Sequence, residues 1–103
     1  MDRIAREACD RLIAGLSPRR IVLFGSRARG DDDPGSDLDL LVEAEVEGTL
    51  AERMAHAHRL IEGLGVPVDV LVFTPGEVAR FREWPGHIVR IALREGVVVH
   101  GPE

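Results

Sequence analysis

The sequence predicts an α/β chain in which short apolar strands alternate with amphipathic helices. Apolar residues recur at three-and-four spacing over 2–15 and again over 50–64, the period of a half-buried helix. Three nearly continuous apolar runs, 19–24, 37–43 and 66–73, are bounded by Gly, Pro and Asp, as strands are. With 103 residues and 45% hydrophobic side chains, the chain can build one core and little more. We therefore expect one domain over residues 1–103.

The first helix, 2–15, carries Ile4, Ala5, Ala8, Cys9, Leu12, Ile13 and Leu16 on one face. Asp2 is placed to cap it, and Gly15 with Pro18 to end it. A strand over 19–24 follows, with Arg19 and Arg20 solvated at its start. The Gly-, Asp- and Pro-rich stretch 25–36 reads as a loop. It holds one helical turn at 26–29 stopped by Gly30, and a turn at Asp33-Pro34-Gly35. In the second strand, 37–43, period-two alternation sets Asp37, Asp39, Leu41 and Glu43 on one face and Leu38, Leu40 and Val42 on the other.

A second helix opens at Thr49, which forms a capping box with Glu52. Its expected buried stripe is Leu50, Met54, Ala57, Ile61 and Leu64, closed by Gly63 or Gly65. The third strand, 66–73, sets Val68, Val70 and Val72 opposite Asp69, Leu71 and Phe73. Thr74-Pro75 opens a short helical turn supported by Glu77. Pro85 starts a last helix over 86–95, Gly96 ends it, and Val97, Val98 and Val99 make a small closing strand.

Composition narrows the function classes. All thirteen basic residues are Arg, and the net charge of −5 argues against nucleic acid as a direct ligand. No apolar run approaches the roughly 18 residues needed to span a bilayer, so no membrane role is expected. The start, MDRIAREACDRL, is charged and periodic, unlike a signal peptide. Cys9 is the only cysteine and falls on the apolar face of the first helix, which fits an inert core thiol in the reducing cytoplasm.

The chemistry concentrates in GSRARGDDDPGSDLDL, residues 25–40. Side chains at i and i+2 of a strand share a face, about 6–7 Å apart, so Asp37 and Asp39 can converge on a cation. Two bare carboxylates that close repel one another, and Mg²⁺, which takes oxygen ligands alongside substrate phosphates, relieves that repulsion. Asp69 interrupts the apolar run Val-Pro-Val-Asp-Val-Leu-Val, where an ionised side chain needs a partner. It supplies a third oxygen donor if its strand pairs with the second in register. Gly25 lets the backbone approach a phosphate, and Ser26 and the amides after it offer donors to an anion. Arg27 and Arg29 are placed to reach triphosphate oxygens.

Gly25, Ser26, Asp37, Asp39 and Asp69 closely resemble the signature of the minimal nucleotidyltransferase (MNT) group of the DNA polymerase β superfamily: Gly-Ser, ten residues, Asp-x-Asp, then a carboxylate on a later strand. The Arg-Ala-Arg-Gly after the serine, the Asp-Leu-Asp-Leu-Leu-Val run and the ending Ile-Ala-Leu-Arg-Glu-Gly-Val-Val-Val are similar to typical members too. The resemblance covers nearly the whole chain. It implies an α/β (α+β) nucleotidyltransferase fold, a small mixed sheet of three to four strands flanked by helices. It implies ATP as donor, bound at Gly25, Ser26, Arg27 and Arg29, and two Mg²⁺ ions at the catalytic residues Asp37, Asp39 and Asp69. Asp69 would help deprotonate the acceptor hydroxyl, which attacks the α-phosphate and expels pyrophosphate.

Larger relatives carry a second domain that selects the acceptor, and this chain has no room for one, so the acceptor is expected on another protein. Many proteins of this group resemble antitoxins that adenylylate a tyrosine on a helical HEPN-family toxin. A non-catalytic antitoxin that masks its partner, and transfer to a small molecule, are the rival readings; homo- and hetero-oligomers both stay open.

The remaining polar and aromatic residues read as structural. His56 and His58 point to different faces of their helix and belong at the surface, and His87 and His100 have no companions. Phe81 and Trp84 read as core packing, or in a chain this short as a contact patch for a partner. Residues 31–33 read as a solvated acidic run with no assigned role.

Overall fold

Four strands form one mixed sheet in the order β3-β2-β1-β4. The computed structural model describes residues 2–30 and 37–102, so the turn expected at Asp33-Pro34-Gly35 and the acidic run 31–33 lie outside the described residues. The elements are α1 (Arg3–Leu16), β1 (Arg20–Phe24), β2 (Leu38–Glu43), α2 (Leu50–Leu60), β3 (Val68–Phe73), α3 (Pro75–Phe81), α4 (Ile88–Glu95) and β4 (Val97–His100). β1 pairs antiparallel with both β2 and β4. β2 and β3 are parallel, and α2 is the crossover that such a pair requires. The α/β reading, with its small mixed sheet flanked by helices, therefore holds.

The sheet is buried on both faces because its strands are apolar on both. Ile21, Leu23, Leu38, Leu40, Val42, Val70 and Val72 meet Ala5, Ala8, Cys9 and Leu12 of α1 and Ala57 of α2. On the opposite face Val22, Leu41 and Phe73 meet Val78 of α3 and Val89 and Ala92 of α4. The period-two sorting of β2 is thus the observed one, with Leu38, Leu40 and Val42 on the α1–α2 side.

Several boundaries differ from the expected ones, each for a local reason. Gly15 does not end α1; it lies inside the helix, where a Cβ would come within 2.5 Å of Leu60 Cδ1, so glycine permits the close approach of α1 and α2. The helix stops instead at Ser17, in the left-handed region (φ 46°), whose N–H donates to the Ile13 carbonyl at 3.1 Å. Of the stripe expected on α2, Ala57 and Ile61 are buried while Leu50 is 38% exposed. The Thr74–Glu77 capping box opens a seven-residue helix rather than a single turn. The last helix begins at Ile88, with His87 as its cap, so Pro85 and Gly86 belong to the preceding turn.

Charged side chains are taken inside where a partner meets them, among them Arg20, Glu43 and Arg53. Arg20 is not solvated: its Nε donates to Glu43 Oε1 at 2.9 Å, and the two side chains are 14% and 6% exposed. A buried carboxylate needs such a partner, since desolvation alone would be costly. Arg53 of α2 donates to the Gly48 and Val72 carbonyls at 3.0 and 3.2 Å and to Glu77 Oε1 at 2.7 Å. One guanidinium thereby fastens α2, the end of β3 and the cap of α3 together. No helix among the described residues is long and apolar enough to cross a membrane.

Candidate functional site

The parallel register places Asp39 of β2 directly beside Asp69 of β3. Because facing residues in a register share a sheet face, both carboxylates project on the α3–α4 side of the sheet, near its edge at β3. Asp37, two residues before Asp39, stands exposed just ahead of β2. Asp39 is half-buried and Asp69 exposed, so the set grades from the sheet interior to solvent.

The Gly-Ser turn reaches the same place from β1. Phe24 is the cross-strand partner of Asp39, so the residue after it, Gly25, sits over the Asp39 side chain. Gly25 has φ 77°, and a Cβ built there would overlap Asp39 Oδ2. Glycine is required twice over, for the backbone angle and for the space the carboxylate fills. The turn expected at 26–29 is present. Ala28 and Arg29 amides donate to the Gly25 carbonyl at 3.2 and 3.3 Å, and Gly30 leaves the turn with φ 81°.

A helical turn advances 100° per residue, so Ser26 and Arg29 share one side and Arg27 and Ala28 the other. Ala28 packs against the core cluster beneath α1. Arg27 is also turned inward: its side chain is 7% exposed and its Nη1 donates to Asp2 Oδ2. The positive charge of Arg29 acts on Asp39. The turn thus holds the protein with Arg27 and Ala28, and the charge of Arg29, on the side it shares with Ser26, reaches Asp39.

Burial pushes the Asp39 carboxyl above its ordinary range; Asp69 and Asp37 push it further up, and Arg29 offsets part of this. Burial and like charge both disfavour the ionised carboxylate, and burial is the larger of the two here. The donor set is oxygen only, which suits a hard divalent ion such as Mg²⁺ rather than a softer metal. Among the described residues no three His, Cys, Asp or Glu side chains surround one point. The carboxylates stand side by side, with Asp37 at the mouth of the pair.

His56 is exposed as expected, and three other histidines have structural work elsewhere. His58 is partly buried rather than solvated, with Nδ1 2.7 Å from the Met54 carbonyl and Nε2 3.1 Å from that of Val68. His87 accepts from the Val89 amide at 3.1 Å and stacks on Phe81 with centroids 4.2 Å apart. His100 Nε2 lies 3.3 Å from the Pro18 carbonyl. Phe81 packs against the core, whereas Trp84 stands 53% exposed at its edge. The sequence reading missed the role of Asp2 beyond its cap. Nothing in the spacing of Asp2 and Arg27 announces a contact between them.

Fold and site together define an α/β protein with paired strand carboxylates set beneath a glycine-serine turn. Comparison with known proteins names the class. Residues 1–99 match the model of the nucleotidyltransferase domain family, and the chain belongs to that family. Its fold is similar to that of a candidate nucleotidyltransferase from Sulfolobus solfataricus, at 27% identity and a TM-score of 0.64, over 93% of this chain and 76% of the other. It is also similar in fold to a chain of a toxin-antitoxin structure with AMP-PNP, at 19% identity and a TM-score of 0.64, over 96% of this chain and 74% of that one. No curated protein sequence matches the chain. The resemblance to the minimal nucleotidyltransferases, read from residues 25–39 and 69, agrees with these findings.

Proposed function

We propose that this chain is a single minimal nucleotidyltransferase domain that moves AMP from ATP to a hydroxyl group, a tyrosine on a HEPN-type partner protein, and so acts in the cytoplasm as its antitoxin. The observation that carries the reading is the placement of Asp39 beside Asp69, under Gly25, in a chain of the nucleotidyltransferase family.

Asp37, Asp39 and Asp69 would hold two Mg²⁺ ions, which when bound neutralise phosphate charge and polarise the reacting oxygens. Gly25 and Ser26 present backbone and hydroxyl donors to the triphosphate, and Arg29 adds charge from the same side of the turn. Arg27 supports this cradle from the opposite side. Asp69, exposed on β3, is the carboxylate an incoming hydroxyl reaches, and it accepts the proton as the oxygen attacks the α-phosphate. The bond between the α- and β-phosphates breaks and pyrophosphate leaves. No covalent intermediate on the protein is needed, because positioning and charge compensation carry the step.

The fold likeness to a chain of a toxin-antitoxin structure with AMP-PNP supports a protein partner and a nucleotide ligand for this chain as well. The test is to incubate the protein with α-labelled ATP, Mg²⁺ and a HEPN-type helical protein, and to map the label by peptide analysis. Label on a tyrosine of that protein, absent with Asp39→Ala, is the expected result. A triple Asp variant that neutralises the partner as well as wild type would show a masking protein instead.

A further inference from the structure

We infer that Asp2 and Arg27 form a positioning clamp for the nucleotide-binding turn, so that the N-terminal cap of α1 sets the orientation of Ser26 and Arg29. The inference rests on the reading under Proposed function, in which that turn receives the triphosphate.

Asp2 uses both carboxylate oxygens. Oδ1 accepts the Ala5 amide at 2.8 Å and caps α1, while Oδ2 accepts Arg27 Nη1. A carboxylate fixed by a backbone donor is a rigid acceptor, and a charge-assisted bond to it holds a guanidinium in one geometry. The Arg27 side chain, 7% exposed, is nearly all inside the protein, so its stem as well as its charge is held. The turn it belongs to has a second anchor in Ala28, packed on the core. With residues 27 and 28 fixed on one side, the helical advance places Ser26 and Arg29 on the other. An open cleft of about 280 Å³, lined by Asp2, Ala5, Arg27, Ala28, Val97 and Val99, lies alongside the clamp. Asp2 and Arg27 both line it, so the ion pair spans the cleft and acts together with the packing of Ala28 to set where the turn sits.

Arg27 is thus a positioning residue, and Arg29 carries the charge that acts at the site. Asp2→Asn keeps a cap acceptor for Ala5 and weakens the hold on Arg27, and Arg27→Met keeps the stem without the charge. The experiment measures ATP affinity in Mg²⁺ by calorimetry, with KM and kcat for AMP transfer alongside. Each variant is expected to weaken ATP binding about tenfold, a typical coupling for residues in contact, and the double variant no further. KM should rise with kcat nearly unchanged, and Arg29→Met should add its own loss to either. If Arg27→Met weakens ATP binding while Asp2→Asn binds as wild type does, Arg27 acts on the nucleotide directly and the inference is overturned. Should wild type bind no ATP, the reading of the function fails instead. The clamp is then decided by amide hydrogen exchange at residues 26–30, which Asp2→Asn must accelerate; unchanged exchange overturns it.

Discussion

Asp39 and Asp69 are nearest neighbours across the parallel β2–β3 pair, and the space Asp39 occupies exists because residue 25 has no side chain. Three elements therefore meet at one carboxylate, and a change in any of them is felt there.

Gly25→Ala tests that meeting directly. The variant adds a left-handed alanine and an overlap with Asp39 Oδ2. We expect a loss of about 1–3 kcal/mol of stability, the usual cost of such backbone strain, and loss of ATP binding. Gly30→Ala has the same strain (φ 81°) but meets nothing within 4 Å, so it should cost stability and spare the Asp39 carboxylate. Thermal melts of the two variants beside ATP titrations separate strain from obstruction.

Asp39 also gives a pH signature. Its carboxyl titrates above the ordinary range in the fold, because of burial first and then Asp69 and Asp37. The folded, metal-free protein therefore holds this proton more tightly than the unfolded chain does. Stability from this group is full below the ordinary carboxylate range, falls as pH rises to the raised value, and stays low above it. Asp39→Asn should raise the melting temperature of metal-free protein at neutral pH and leave it unchanged in acid. Mg²⁺ should stabilise wild type and not the variant. Equal melting of both proteins at neutral pH would contradict this account of the site.

The fold was legible wherever the signal was local. Both capping boxes, the period-two sorting of β2 and the glycine-stopped turn after Ser26 depend on residues within four positions of one another. Asp69 was legible too, because a carboxylate amid valines has few structural uses. What stayed hidden depends on pairing between distant segments. Arg20 looked solvated until Glu43 appeared opposite it, and Gly15 looked like a stop until Leu60 lay against it. The contact of Arg27 with Asp2 was hidden as well, because a motif shows which residues are present and not what each touches 25 positions away.

The Arg20–Glu43 pair predicts a non-additive mutant cycle. Arg20→Met leaves the carboxylate of Glu43, whose side chain is 6% exposed, without its cation and should cost about 3 kcal/mol, as breaking buried pairs does. Adding Glu43→Leu should recover much of that loss. Urea melts of the two singles and the double measure the coupling; additive losses would mean the pair is not held as described.

Cys9 should be inert while the protein is folded. It is 3% exposed, and burial, with help from Asp10, pushes its thiol up to about 11. Since the thiolate is the reactive form, a disulfide reagent at pH 8 should modify it only after denaturant is added. Rapid labelling of native protein would show that α1 opens from the sheet.

The central claim is that the acids beneath Gly25 transfer a nucleotidyl group. The most direct measurement supplies ATP labelled at the α- or the γ-phosphate, with Mg²⁺ and a HEPN-type helical protein as candidate acceptor, and follows protein-bound label and pyrophosphate together. We expect α-label on the acceptor, an equal amount of pyrophosphate released, no γ-label on protein, and loss of all transfer in Asp39→Asn and Asp69→Asn. Transfer of the γ-label, or transfer undiminished in both variants, would contradict the account.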